Sequence, residues 1–279
     1  MSTKYVYIND TFITEDKASL LVADLAIQRG YGIFDFFKTI GGKPVFLQDH
    51  LDRFYNSARK MHLNVGYSPE ELKSILAELM EKNSIPDSGI RLTLTGGYSA
   101  DGYLLPARQN LIITQQHFLM DLNMDTKGIR VVTYDYQRQL AGMKTIDYAM
   151  AIWLQPFIKE NNADDVLYHH NGQVKEVPRA NFFIVNEQQE VITAKSDVLP
   201  GITRKNILAL KNLDFKVIER NFVLEELQTA TEAFITSTTK HILPVLQIDG
   251  RPVGDGKAGK ISRQLLASLV EKVKENLKE

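Results

Sequence analysis

The chain of 279 residues sets 33 Lys+Arg against 34 Asp+Glu, a formal net charge of -1, with 44% hydrophobic and 24% charged residues. That balance offers no field to draw nucleic acid or anionic lipid, and a chain of this length buries a sizeable core without covalent staples. The absence of cysteine excludes disulfides, thiolate zinc sites, iron–sulfur clusters and a cysteine nucleophile. The opening MSTKYVYIND has no apolar segment behind a basic flank, and no apolar run reaches the about 18 residues that a spanning helix needs. The expectation is a cytoplasmic protein with small-molecule partners, not nucleic acid or membrane.

In chain order, residues 4–8 and 11–13 flank Asn9-Asp10 as a hairpin. Residues 32–40 are aromatic and β-branched, and Gly41-Gly42 turns them into a second strand at 44–47. Over 49–62 the spacing of Leu51, Phe54, Tyr55, Ala58 and Met61 predicts a helix. Ser68-Pro69-Glu70-Glu71 opens another that runs to about Lys82. Strands at 90–95 and 110–115 follow, and residues 118–128 lack periodicity up to Gly128.

Beyond Gly128 the sequence predicts a strand in IRVVTYDY and a helix over 145–160. A hairpin at 165–170 and 173–177 turns on Asn171-Gly172. Strands are expected in FFIV, 190–194, 215–219 and AFITS, with helices at 202–212 and about 258–277. Mixed strands and helices in two blocks argue an α+β fold. Its expected parts are a small N-terminal domain at 1–118, a linker at 119–128 and a large C-terminal domain at 129–279.

GDGKAGK at 254–260 imitates two phosphate-binding motifs and fails both on context. A P-loop needs Ser or Thr after its lysine, and Ile261 stands there. A dinucleotide fold needs a further strand with an acid, and only a helical tail follows. The expected structure is a glycine loop entering the last helix. The adjacent His169-His170 pair points to opposite faces of a strand, so no metal site is expected.

Four segments carry candidate chemistry. Lys144 lies between a strand and a helix start, where the dipole and partial burial favour a neutral amine fit for Schiff-base formation; a solvated lysine is the plain alternative. LPGITRKNIL at 199–208 places Ile202 and Thr203 at a helix N-terminus, either an anion site or a self-satisfied cap. Arg53 could fork a phosphate, or pair at the surface with Asp49 or Asp52. Glu176, before a proline bend, could face a pyridine nitrogen or simply solvent.

Lysine, phosphate nest, arginine and carboxylate are the parts that pyridoxal phosphate requires. In order and spacing the chain resembles the class IV, fold type IV pyridoxal-phosphate aminotransferases. The likeness runs through RGYGIFDFF (29–37), HLDRFYNSA (50–58), KTIDY (144–148), NGQVKEVPRANFFIV (171–185), LPGITR (199–204) and TSTTKHILPV (236–245). The resemblance implies a two-domain α+β fold, usually dimeric, with pyridoxal 5′-phosphate in the interdomain cleft and the cofactor lysine on the C-terminal domain. It implies that Lys144 bonds the cofactor and shuttles the proton. Glu176 matches the acid on the pyridine nitrogen, and Tyr148 lies near the ring hydroxyl. Arg53, Ile202, Thr203 and Thr238 match the phosphate cup. Val177-Pro178-Arg179 stands where the family has glycine and serine after the glutamate, so Arg179 is a further candidate at the cofactor ring.

The family contains D-amino acid transaminases, L-branched-chain aminotransferases and 4-amino-4-deoxychorismate lyase. Lys38 replaces the arginine usual in the L-branched-chain enzymes, and Phe34 replaces a frequent tyrosine. The expected reaction is ping-pong transfer of an amino group from an amino acid, D-isomers favoured, to a 2-oxo acid; the other two activities are the alternatives. A substrate carboxylate needs a cationic partner when buried. Arg91, on the polar face of IRLTLT, and Arg29, before Gly30-Tyr31 in the loop entering the aromatic strand, are the candidate clamp, with two surface arginines as the alternative.

Overall fold

The computed structural model describes residues 4–119 and 127–278, and part of the expected linker therefore lies outside the described residues. Two compact units emerge. The first comprises Met1–Leu119, Met143–Asp147 and Asn276–Glu279, the second Met120–Gly142 and Tyr148–Glu275. Among the described residues no helix is long and apolar enough to cross a membrane.

The first unit carries β1 (Tyr5–Ile8), β2 (Thr11–Thr14), α1 (Leu25–Arg29), β3 (Gly32–Ile40), β4 (Lys43–Pro44), α2 (Leu47–Lys60), α3 (Pro69–Asn83), β5 (Ser88–Thr95) and β6 (Leu111–His117). Its described strands form an antiparallel sheet in the order β2-β1-β6-β5-β3-β4. Alternation along β3 sends Ile33, Asp35 and Phe37 to one face and Phe34, Phe36 and Lys38 to the other. Ile33 and Phe37 join Leu51, Phe54 and Ala58 of α2 and Leu72, Leu76 and Leu79 of α3 in the core. The Ser68 hydroxyl accepts from Glu71 N, and Glu71 accepts from Ser68 N, so α3 starts on a capping box with Pro69 in its first turn. The expected strand at 44–47 is only β4, because Phe46 takes a left-handed conformation and starts α2 at Leu47.

The second unit holds β7 (Ile129–Asp135), α4 (Ala149–Trp153), α5 (Gln155–Glu160), β8 (Asp165–His170), β9 (Gln173–Val174), β10 (Glu176–Val177), β11 (Ala180–Val185), β12 (Val191–Thr193), α6 (Ile202–Leu208), β13 (Val217–Glu219), β14 (Glu232–Ser237), β15 (His241–Ile248), β16 (Arg251–Pro252) and α7 (Lys260–Asn276). The main path of its sheet is β13-β12-β11-β14-β15-β7-β8-β9, with β10 on β11 and β16 on β15. The expected strand at 173–177 divides: β9 stays with β8, and β10 turns through Pro178-Arg179 onto β11. The expected helix at 145–160 begins only at Ala149 and divides at Leu154.

The lysine segment departs from its expected domain. Phe34 N donates to Lys144 O at 2.9 Å, and Ile146 N donates to Gly32 O at 3.1 Å. Thr145 bridges Ile33. These bonds lay residues 143–147 along β3 as extended chain, which places Lys144 with the first unit instead of the C-terminal domain. They also explain the late helix start, since backbone groups committed to β3 cannot join a helical ladder.

Candidate active site

The candidate residues fall into one constellation in each unit. In the first, the Lys144 amine stands 4.5 Å from the centroid of the Phe34 ring, and the Arg91 guanidinium carbon stands 3.8 Å from the same centroid. Strand pairing explains the arrangement: Phe34 lies opposite Thr93, on the face Arg91 shares, and Arg91 Nε donates to Thr93 Oγ1 at 3.3 Å. Lys144 is fixed from behind, where its backbone N–H reaches Ser57 Oγ on α2 at 3.4 Å.

On the opposite face of β3 lies a buried ionic cluster that the sequence reading missed. Arg53 donates from Nε to Asp35 Oδ2 and from Nη2 to Asp35 Oδ1, both at 2.8 Å. His50 Nδ1 lies 2.7 Å from Asp35 Oδ1. Asp35, His50 and Arg53 are 1%, 2% and 8% exposed. Burial alone would raise the Asp35 carboxyl, yet Arg53 and His50 hold it well below the usual carboxylate range. Burial pushes the His50 imidazole below its ordinary value against the pull of Asp35. Since a carboxylate only accepts, the proton between the two groups sits on His50 Nδ1. Arg53 thus finds its forked carboxylate partner in Asp35, from a strand 18 residues earlier in sequence, and the pair is buried instead of lying at the surface.

Lys38 is 2% exposed, and burial pushes its ammonium down to about 7. Arg29 lies apart, exposed at the end of α1 with Nη1 donating to Gln28 O. Gly32 pairs with Thr95, whereas Arg91 pairs with Phe36. Gly32, where β3 starts after α1, lies four strand residues, roughly 13 Å, from Phe36 opposite Arg91.

In the second unit Glu176, 3% exposed, is held by three donors. Arg138 Nη1 reaches its Oε1 at 2.7 Å; Leu199 N and Asn181 Nδ2 reach Oε2 at 2.9 and 3.3 Å. Burial alone would lower the Arg138 guanidinium, but the Glu176 charge and hydrogen bond hold it above its ordinary value, with the Tyr148 hydroxyl contributing. Asn181, opposite Glu176 in the β10–β11 hairpin, also donates to Leu199 O at 2.8 Å. A Cβ on Gly201 would come within 2.1 Å of Asn181 Oδ1, so only glycine permits this approach. The carboxylate and the start of α6 are thereby tied together.

Ile202 and Thr203 begin α6 and are buried, and the N-cap residue Gly201 has no side chain with which to cap that terminus. First-turn amides without a cap face an anion site readily. Thr238 is half-buried in the turn after β14. Tyr148 immediately precedes α4 and, with Arg179, Pro178 and Asp165, lines a cavity of about 560 Å³. Arg179 is exposed in the hairpin turn, 3.8 Å from Asp165.

The glycine-rich decoy has its own occupant. Glu232 accepts from Ile261 N and Ser262 N, both at 2.8 Å, and so fills the N-terminus of α7 with a carboxylate.

Comparison with known proteins agrees with these observations. A family model described as "Amino-transferase class IV" matches residues 32–248. The D-alanine aminotransferase of Listeria monocytogenes serotype 4b (strain F2365) is 30% identical, with 96% of each chain covered. That of Staphylococcus haemolyticus is 29% identical over 93% of this chain and 94% of its own. Among solved structures, a T.th. branched-chain amino acid aminotransferase with pyridoxamine 5′-phosphate superposes with a TM-score of 0.90. At 24% identity over 99% of this chain and 96% of the other, it is similar in fold.

Proposed function

The chain belongs to the class IV aminotransferase family, and from that premise we propose that this pyridoxal 5′-phosphate-dependent transaminase takes its amino group from D-amino acids and passes it to 2-oxo acids. What carries the D-preference is the end-to-end likeness to D-alanine aminotransferases, at 30% identity over 96% of both chains.

The residues present fit the cofactor. Lys144 would supply the primary amine for its aldehyde, and Glu176, held by Arg138, would supply a carboxylate for the ring nitrogen. Ile202, Thr203 and Thr238, and separately Arg53, are the residues that the family resemblance assigns to its phosphate. Tyr148 and Arg179 serve the ring hydroxyl side. When bound, the cofactor supplies the electron sink for the α-carbon and carries the amino group between the two substrates.

The chain's own groups do the rest. Arg91 meets the substrate carboxylate, its guanidinium held against the same Phe34 ring that the Lys144 amine approaches. The Lys144 amine would serve as the base that takes the proton from the substrate α-carbon and as the acid that gives it back to the cofactor side. Glu176 would hold the ring nitrogen protonated, and Lys38 lies on the same face of β3 as Phe34, buried four residues further along.

In this reading the two-arginine clamp takes Arg29 from a second copy, so the working form is a homodimer. In support, Leu21, Val22, Ile27, Tyr103 and Leu104 are exposed on segments joined by the Asp24–Tyr98 bridge, an apolar patch that includes the neighbourhood of Arg29.

The test is the visible spectrum of the holoprotein after separate additions of D-alanine, D-glutamate, L-leucine and L-glutamate. Loss of the bound cofactor's visible band with the D-isomers alone is the expected outcome. Loss with the L-isomers alone would make the enzyme an L-branched-chain type, and silence with all four would turn the reading towards lyase chemistry.

A further inference from the structure

Arg53 is the phosphate cup's only charged candidate, and its charge is already answered inside the protein. Asp35 occupies the Nε–Nη2 edge of the guanidinium with two 2.8 Å bonds, and the His50 Nδ1 proton steadies the same carboxylate at 2.7 Å. The cluster joins β3 to two successive turns of α2, with Asp35 and His50 almost wholly buried and Arg53 retaining 8% exposure. An arginine whose sole task was to attract an anion would be better left without a carboxylate, because Asp35 cancels its charge at close range. What the carboxylate gives in exchange is orientation: a long, flexible side chain loses its rotamer freedom before the ligand arrives.

We propose that Asp35 and His50 are positioning residues for cofactor binding: Asp35 aims Arg53 at the phosphate, and His50 holds Asp35 by donating from Nδ1. The inference rests on the reading of Arg53 as a phosphate residue. Charge and positioning make opposite predictions for Asp35→Asn. Removing a negative charge would tighten binding of a phosphate dianion if charge alone mattered, and loosening Arg53 would weaken it if orientation mattered.

The experiment compares dissociation constants for pyridoxal 5′-phosphate and for pyridoxal, which lacks the phosphate, by absorbance titration of the full chain and its variants. Asp35→Asn is expected to weaken the phosphorylated ligand by about tenfold or more, as loss of a charged hydrogen bond implies, while pyridoxal changes by less than about twofold. A general loss of structure would weaken both ligands alike, so the ratio separates positioning from folding. His50→Leu is expected to follow Asp35→Asn, and His50→Asn, whose amide restores the donor, is expected to bind close to wild type. This pair decides the matter even if Asp35→Asn does not fold. Tighter binding of the phosphorylated ligand by Asp35→Asn, an unchanged ratio in both Asp35→Asn and His50→Leu, or His50→Asn as impaired as His50→Leu would overturn the inference. A wild-type chain that binds neither ligand would overturn the functional reading as well, so the two failures are distinguishable.

Discussion

Lys38 shows how much a single side chain can change the pH response of the fold. Burial pushes its folded pKa down to about 7, while the unfolded chain keeps the ordinary lysine value near 10.4. Between those values the unfolded state binds the extra proton, so stability rises with pH across the window; below it both states are protonated and the cost of burying the ammonium is felt in full. Lys38→Met is therefore expected to raise the urea midpoint most at pH 6–7, with the gain shrinking towards pH 10. A gain independent of pH would mean that the folded amine titrates normally. The same scale shows where sequence reading stops. Lys144, Arg53 and Glu176 stood out because their residue types suit one cofactor, but their partners did not. Asp35 is 18 residues from Arg53, and Arg138 is 38 from Glu176. Only sheet register and loop closure make such pairs, and no local spacing announces them.

Elements announce themselves when their cause is local. The Asn171-Gly172 hairpin and the Ser68 capping box were legible because the turn and the cap lie within a few residues of what they organise. β15 was not, since Pro244 inside it argues against a strand; it is accommodated where β15 pairs with β14, just before Val245 begins the pairing with β7. The glycine loop at 254–260 is the opposite lesson, a motif without its context. Glu232 from β14 takes the two amides at the start of α7, and a Cβ on Gly259 would fall 1.9 Å from the Glu232 carboxyl carbon, so the glycine there makes room for a carboxylate. Glu232→Ala is expected to cost about 1–2 kcal/mol of stability, the range for a lost helix cap, read from urea unfolding. Neither ATP nor NAD should raise the thermal midpoint of the wild-type chain, and a rise with either would restore the loop as a nucleotide site.

At the scale of the whole molecule, sequence order and spatial grouping diverge. A boundary near residue 128 follows from the change in pattern, yet Met143–Asp147 groups with the first unit because its backbone bonds to β3. The proposed dimer carries the same divergence one step further, between chains. Arg29 ends α1 and Arg91 lies within β5, and in the proposed clamp each site draws Arg29 from the other copy. A closed twofold pair would then build two identical sites, each from both chains. This predicts complementation. Arg29→Ala and Arg91→Ala are each expected to lose most activity as pure dimers, chiefly through a raised KM. Mixed, dissociated and reassociated, they should form hybrids in which one site has both arginines and the other has neither. With random assortment half the dimers are hybrids and half their sites are intact, so roughly a quarter of wild-type activity should return, with a wild-type KM. If both arginines served a site within one chain, a hybrid would contain no intact site and mixing would restore nothing. If Arg29 had no part in the site, the Arg29→Ala dimer would already be fully active before mixing.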